Sequence, residues 1–363
     1  MILGHGGDIY GAARAIGCRP EDILDFSSNV NPLPLKHEFL RFLQDQLHSI
    51  RHLPEPDSLE LRKKLASRYG IPPDNLLVGP GTTQWIFDLP GLFAMERVVV
   101  VVPTYADYED AARMAGKDVH RLGTFPLQGP LGPQWLMEII KGLRPGDLIF
   151  LCNPNNPTGA FIDPAVLKDV MMSTPGVTWC VDESYAPFIA PYEDTSVISL
   201  GIPQNCMVLR SFSKIHGIPG LRLGAIFGHI HSMEKLSRHQ RPWAVARISQ
   251  LAGLYLINRG EWESEAREYL MREKAYLFNA IQHMPRLHPI ESHTHFFLIK
   301  VDPALNVSTL CKLLLKKKML IRDCSNFRGL EDKNIVRISP RIHQENEMLI
   351  EALGHIVSSM GTD

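Results

Sequence analysis

In the stretch RSFSKIHGIPGLR, residues 210–222, Lys214 follows two serines, Ser211 and Ser213, and stands eight residues ahead of Arg222. A neutral lysine amine attacks carbonyl carbon, and hydroxyls with an arginine are the donors that a phosphate group takes. The spacing suggests a site in which serines and an arginine hold a phosphate while the amine reacts. Upstream stand Asp182 with Tyr185 in VDESY, Asn156 in NPNNPTG, Tyr105, and the turn Gly81-Thr82-Thr83. Taken singly, each has an ordinary explanation: a solvated lysine, a capping aspartate, a turn rich in Pro, Asn and Gly. Their order along the chain, and their places at the ends of elements, are less ordinary.

Those elements can be read from the apolar pattern. RVVVVVP (97–103), DLIFLCNP (147–154), VTWCVDES (177–184) and MVLRSFS (207–213) are apolar almost throughout, as expected of strands covered on both faces in a parallel sheet. Helical segments between them complete βαβ units. DSLELRKKLASRYG (57–70) reads as a helix capped by Asp57 with Glu60 three residues later and ended by Gly70. In such a sheet, ligands bind beyond the carboxyl ends of the strands, which is where Asn156, Asp182, Tyr185, Ser211 and Lys214 fall. Downstream, SEAREYLMREKAYLFNAI is a long helix, THFFLIKV, KMLIRDCS and NIVRIS are strands, and an amphipathic helix runs near 308–318. The expected fold is α/β, a large domain with a mostly parallel sheet plus a smaller α+β domain. The expected division is 1–50 as an amino-terminal segment serving the small domain and substrate site, 51–240 as the large domain, and 241–363 as connecting helix and small domain.

The 363 residues, 45% hydrophobic and 21% charged, suffice for a large buried core. Lysines and arginines number 38 against 39 acidic residues, so no bulk positive field draws the chain to nucleic acid or anionic lipid. No apolar run is long enough to span a bilayer and no secretory leader is visible, so the expected location is cytoplasmic, without membrane or nucleic-acid partners. The cysteines are scattered without a CxxC pair, which argues against a disulfide framework or a zinc knuckle. His293 and His295 alternate along a strand pattern and supply two ligands without a third, so no metal is expected.

The ordered series from Gly81 to Arg222 resembles the fold-type I pyridoxal-phosphate enzymes of the aspartate aminotransferase superfamily, over nearly the whole chain. That resemblance implies pyridoxal 5'-phosphate as cofactor, with Lys214 as its Schiff-base lysine, Asp182 paired with the pyridine nitrogen, and Asn156 and Tyr185 on the ring hydroxyl. It implies that Ser211, Ser213, Arg222 and the Gly81–Thr83 turn hold the cofactor phosphate, and that Tyr105 stacks on the ring. A carboxylate beside the ring nitrogen favours its protonated form, which accepts the electrons released at the substrate α-carbon.

Two branches of that superfamily fit, the threonine-phosphate decarboxylases of cobamide biosynthesis and the histidinol-phosphate aminotransferases. HGGDIYGAARAIG (5–17), ILDFSSNVNPL (23–33), RPWAVARISQLAG (241–253) and LIRDCSNFRGL (320–330) resemble the decarboxylases more. The implied reaction is decarboxylation of a small phosphorylated amino acid, L-threonine O-3-phosphate or its serine counterpart, which differ by one methyl worth only ~1 kcal/mol of apolar contact. Histidinol-phosphate transamination and non-enzymatic cofactor binding are the competing readings. By the same resemblance Asn29 and Arg337 contact the amino acid, and His5, Gly6, Gly7 and Arg322 lie near the substrate phosphate. A homodimer is implied, because the superfamily builds its sites at a subunit interface. One departure stands out: both branches commonly carry a tyrosine in an RYPD-like stretch that reaches the partner's cofactor phosphate, whereas RHLPEPD has Leu53 there.

Overall fold

The structure, a computed structural model, describes residues 6–124, 127, 131 and 133–359. Its largest sheet has seven strands, in spatial order Leu76–Gly79, Gly224–Gly228, Cys206–Ser211, Thr178–Asp182, Leu148–Cys152, Arg97–Val102 and Asp118–Thr124. From Cys206–Ser211 onward every pairing is parallel, while Gly224–Gly228 runs antiparallel to both of its neighbours. The reversal goes with the connection: residues 212–223 join Cys206–Ser211 to Gly224–Gly228 through turns and the short 3-10 helix Pro219–Leu221, with no α-helix to carry the chain back for a parallel crossover. That short connection is the one carrying Lys214 and Arg222.

The apolar strands are buried on both faces, as their composition predicts. Val99, Val101, Ile149, Leu151, Trp179, Val181 and Val208 face one way, toward Leu61 and Leu65 of the helix Leu59–Tyr69 and Leu167 of the helix Pro164–Ser173. Val98, Val100, Leu148, Phe150, Cys180, Met207 and Leu209 face the other, toward Trp85 and Ile86 of the helix Thr83–Phe93 and Tyr108 of the helix Asp107–Met114. Each such large side chain contributes about 1.5–3 kcal/mol, which makes the strand ends a rigid platform.

A second, antiparallel sheet runs Arg322–Asp323, Ile335–Ile338, Phe297–Val301 and Leu287–Ile290. Helices Val307–Lys316 and His343–Ser359 cover it, and Phe26 from the amino-terminal segment enters the same core. The helix Gly260–Gln282 joins the two bodies: Ala266 and Leu270 pack with the large sheet, Leu277, Phe278 and Ile281 with the small one. Helices His37–Gln46 and Arg247–Leu256 pack on the large core through Phe39, Ala252 and Leu256. No helix among the described residues is long and apolar enough to cross a membrane.

Two local expectations need correction. Asp57 does not cap the following helix, because Ser58 is left-handed at φ 55° and the helix starts at Leu59. Asp57 instead pairs with Arg62 at 3.0 Å, and the backbone N–H of Glu60 donates to the Glu55 carboxylate at 2.9 Å. The run KMLIRDCS is two strands, not one: Met319–Leu320 pairs with Leu24–Asp25, and Arg322–Asp323 turns to pair with Ile335–Ile338. Gly70 does end its helix, at φ 64°, donating its N–H to Ala66.

Candidate active site

Lys214 sits beyond the carboxyl end of Cys206–Ser211, and its loop is clamped from the amino-terminal side. Asn31 donates its backbone N–H to the Lys214 carbonyl at 3.0 Å and its side-chain amide to the Ile215 carbonyl at 2.9 Å. Burial pulls the Lys214 amine down to about 8; the positive charges of Arg337 and Arg222 add to the fall, and Asp182 opposes it. An amine so placed has a far larger neutral, nucleophilic fraction near physiological pH than an ordinary lysine, although it is still mostly protonated below about 8.

Ser211, Ser213, Lys214 and Arg222 line a cavity of about 180 Å³ together with Thr82, Thr83, Tyr105, Tyr108, Cys152, Asn156, Asp182, Ser184 and Tyr185. Gly81 is tied to Arg222 by space. Its φ is +81°, and a Cβ there would lie 2.6 Å from Arg222 Nη2. Gly224 is equally constrained, since its Cβ would come within 2.8 Å of Thr82 N. The helix Thr83–Phe93 opens at this point without a side-chain cap, so its first N–H groups present partial positive charge to the cavity. Ser213 Oγ is buried with no protein partner. A phosphate supplies what an orphaned hydroxyl, an arginine and open helix N–H groups all lack.

Asp182 ends its strand 5% exposed. One oxygen, Oδ1, accepts from the backbone N–H of Ser184 at 3.0 Å and from its hydroxyl at 2.5 Å; the other, Oδ2, accepts from the Tyr108 hydroxyl at 2.8 Å. Burial raises the Asp182 pKa, and these donors with Lys214 hold it back. The Tyr108 ring stacks on Phe150 at 4.8 Å, and Tyr105 meets it edge-on at 5.7 Å. Burial pushes the Tyr185 hydroxyl up to about 12 despite the opposing charge of Arg337, so it stays a hydrogen-bond donor. Asn155 braces the neighbouring loop: its amide donates to the Pro103 carbonyl and to Thr158 Oγ1, both at 2.9 Å.

A second cavity, about 120 Å³, shares Tyr105, Asn156, Tyr185 and Lys214 and adds Gly6, Ser27, Ser28, Asn29, Ala106, Arg322, Asn326, Phe327 and Arg337. Arg337 is 4% exposed, donates to Asn156 Oδ1, and donates to the Ser27 carbonyl at 2.6 Å. Among the described residues Arg337 Nε is buried without a partner, and the buried Asn29 amide makes no well-formed hydrogen bond although it lies close enough to the Tyr185 hydroxyl to oppose its upward shift. Gly6 fits only as glycine: a Cβ would lie 2.3 Å from the Ser27 carbonyl oxygen and 3.3 Å from Arg337 Nη2. Gly7, at φ +86°, stands one step behind, donating its N–H to Ser27 Oγ at 2.8 Å. His5 lies outside the described residues. Arg322 faces the cavity with Nη2 on Asn326 Oδ1 at 2.7 Å and its guanidinium 4.9 Å from the Phe327 ring centre.

The structure thus brings Thr82, Thr83, Tyr105, Asn156, Asp182, Tyr185, Ser211, Ser213, Lys214 and Arg222 to one cavity, with Gly81 behind Arg222, and Gly6, Asn29, Arg322 and Arg337 to the adjoining one. Leu53 is 74% exposed, away from both linings. His293 is exposed while His295 is buried against Phe188 at 3.8 Å, so the two do not converge. Sequence reasoning missed Tyr108, Ser184 and Asn326. For Tyr108 a signal existed: it lies three residues after Tyr105, one turn of the helix start that follows.

A model of the family "Aminotransferase class I and II" matches residues 21–353. The chain belongs to that family. It is 31% identical to the threonine-phosphate decarboxylase of Salmonella typhimurium over 98% of this chain and 97% of that protein. It is 29% identical to the histidinol-phosphate aminotransferase of Methanothermobacter thermautotrophicus over 97% and 94%. Among solved structures, an L-threonine-O-3-phosphate decarboxylase from Porphyromonas gingivalis superposes with a TM-score of 0.82 at 30% identity, covering 93% of this chain and all of that one. The fold is the family's, and the cofactor is pyridoxal 5'-phosphate. The first cavity fits it: an orphaned Ser213 hydroxyl, a glycine cradle at Gly81 and an uncapped helix start suit the phosphate, and a buried carboxylate suits the ring nitrogen.

Proposed function

We propose that this chain is a pyridoxal-phosphate-dependent carboxy-lyase that converts L-threonine O-3-phosphate to (R)-1-amino-2-propanol O-2-phosphate and carbon dioxide. The observation that carries the substrate class is the pairing of Arg322 with Arg337 across adjacent antiparallel strands, both lining the second cavity beside Lys214. Cross-strand partners on one face stand about 5 Å apart at Cβ, and like charges there repel. A site that keeps two cations so close suits a ligand with two anions, here a carboxylate and a phosphate. The cobamide context rests on the resemblance at residues 5–17, 23–33, 241–253 and 320–330.

When bound, pyridoxal phosphate supplies an aldehyde for the substrate amine and a ring that accepts the electron pair left at the α-carbon. Asp182, with Tyr108 and Ser184 donating to its carboxylate, would hold a proton on the ring nitrogen. Tyr105 would cover the ring, and Asn156 and Tyr185 would supply donors at its edge. Arg337 and Asn29 would orient the substrate carboxylate and so select which α-carbon bond is broken. Loss of that carboxylate as carbon dioxide would leave an α-carbon to which Lys214 would return a proton.

The chain works as a homodimer in this proposal. Leu47, Ile50 and Leu53 are 53%, 68% and 74% exposed, and Trp243, 50% exposed, is bonded through its N–H to the Pro56 carbonyl close by. An apolar ridge of this kind suits a second copy.

Given L-threonine O-3-phosphate and no oxoacid, the enzyme should release carbon dioxide and the amino-alcohol phosphate over many turnovers. An aminotransferase stalls after one half-reaction without an oxoacid. No carbon dioxide from threonine or serine phosphate, with glutamate formed from histidinol phosphate and 2-oxoglutarate, would falsify the proposal; absence of all turnover would leave only cofactor binding.

A further inference from the structure

Arg322 is half-buried and its pKa is lowered by that burial, yet its described partners, the Asn326 amide oxygen at 2.7 Å and the Phe327 ring, are both neutral. The carboxylate nearest in sequence, Asp323, follows on the same two-residue strand; its charge favours the protonated arginine, but among the described residues the two make no hydrogen bond or ion pair. Asp323 Oδ1 accepts the backbone N–H of Ser325 at 2.8 Å, which turns the chain so that Asn326 comes back over Arg322. Residues 322–327 therefore engage the local carboxylate with a backbone N–H and place an amide, not a carboxylate, in hydrogen-bond contact with the arginine.

We propose that Asn326 is a specificity-determining residue for the substrate's phosphate: as a neutral partner it fixes the Arg322 guanidinium against Phe327 without cancelling its charge. The proposal rests on the reading of Arg322 as the phosphate contact. A carboxylate at position 326 would satisfy the same guanidinium edge with a charged hydrogen bond, would leave little net charge, and would repel a phosphate dianion entering the cavity. An amide gives the orientation and keeps the field. Asparagine and aspartate have nearly the same shape, so Asn326→Asp isolates charge from packing.

The test compares wild type, Asn326→Asp, Asn326→Ala and Arg322→Ala as pyridoxal-phosphate-loaded enzymes. It reads KM and kcat for L-threonine O-3-phosphate, the competitive inhibition constant of inorganic phosphate, and the cofactor absorption spectrum. Asn326→Asp should raise KM and the phosphate inhibition constant severalfold, up to roughly tenfold, because Asn326 is exposed and solvent screens the new charge. Asn326→Ala should raise both less, both variants should act on KM more than on kcat, and neither should change the cofactor spectrum, which reports on the first cavity. The order is the signature: a residue needed only for packing would tolerate the isosteric aspartate better than alanine. Aspartate equal to or milder than alanine, while Arg322→Ala raises both constants, would overturn the role of Asn326 and leave the phosphate site intact. If Arg322→Ala also leaves both constants unchanged, the reading of Arg322 falls as well.

Discussion

Tyr108 offers a single-atom test of what favours the ionised form of Asp182. Asp182 is buried, and burial raises its pKa. Three donors oppose this: the Ser184 N–H, the Ser184 hydroxyl and the Tyr108 hydroxyl, the last being the only one on Oδ2 among the described residues. Tyr108→Phe removes that donor and keeps the ring, which is fully buried and lies within 3° of parallel to Phe150. A hydrogen bond to a charged group contributes about 1.5–3 kcal/mol, so the ratio of ionised to protonated Asp182 at a given pH should fall by roughly ten- to a hundredfold.

The sign follows directly. Losing a bond made to the carboxylate raises the Asp182 pKa further, so protonation begins at higher pH as the medium is acidified. The acidic limb of the kcat profile should therefore move to higher pH, with cofactor content and thermal unfolding close to wild type because the phosphate contacts and ring packing remain. The assay is kcat from mildly acidic to alkaline pH on cofactor-saturated enzyme, beside the cofactor absorption spectrum at each pH. An unchanged acidic limb together with an unchanged spectrum would refute the argument and reduce Tyr108 to a core side chain.

Lys214→Met should raise the melting temperature of the cofactor-free protein near neutral pH. The folded amine sits at about 8 against an ordinary 10.5, so its buried charge costs stability in full below about 8, and the cost fades as pH rises toward 10.5; a gain that persists undiminished at the alkaline end would contradict this. Borohydride should attach the cofactor to wild type and not to this variant. For the assembly, sedimentation should give a dimer at micromolar concentration, and Leu53→Lys with Ile50→Lys should shift it toward monomer; a wild-type monomer would remove the proposed interface.

What could be read before the structure was whatever a local pattern records. Strands such as Arg97–Val102 and Thr178–Asp182 are continuous apolar runs because both faces are covered, and their polar last residues mark the ligand side. Gly224–Gly228 is less legible: a short strand bounded by glycines carries little periodicity, and its antiparallel direction goes with a Lys214 loop that holds no α-helix. Tyr108 was hidden because a tyrosine on the buried face of a helix looks like core until its hydroxyl has a partner. The capping of the helix at 59 failed because a left-handed Ser58 is a tertiary outcome. Nor does spacing reveal that Arg322 and Arg337 face each other, since the register of strands 15 residues apart depends on the turn between them.

That register connects substrate binding to the proton at Lys214. With the site empty, burial depresses the Lys214 amine most, and the charges of Arg337 and Arg222 add to the fall. In the proposed reaction a substrate carboxylate on Arg337 would cancel part of that added field and raise the proton affinity at Nζ. When the carboxylate left as carbon dioxide, its negative charge would go with it and the field of Arg337 would return. Lys214 would then become more acidic when the α-carbon needs a proton. Arg322, the cross-strand partner, adds a like charge that Arg337 feels and that the substrate's phosphate offsets. A ligand with only one anion would leave one arginine uncompensated beside Lys214, so on the proposed reading the paired arginines would favour a doubly anionic amino acid in this cleft.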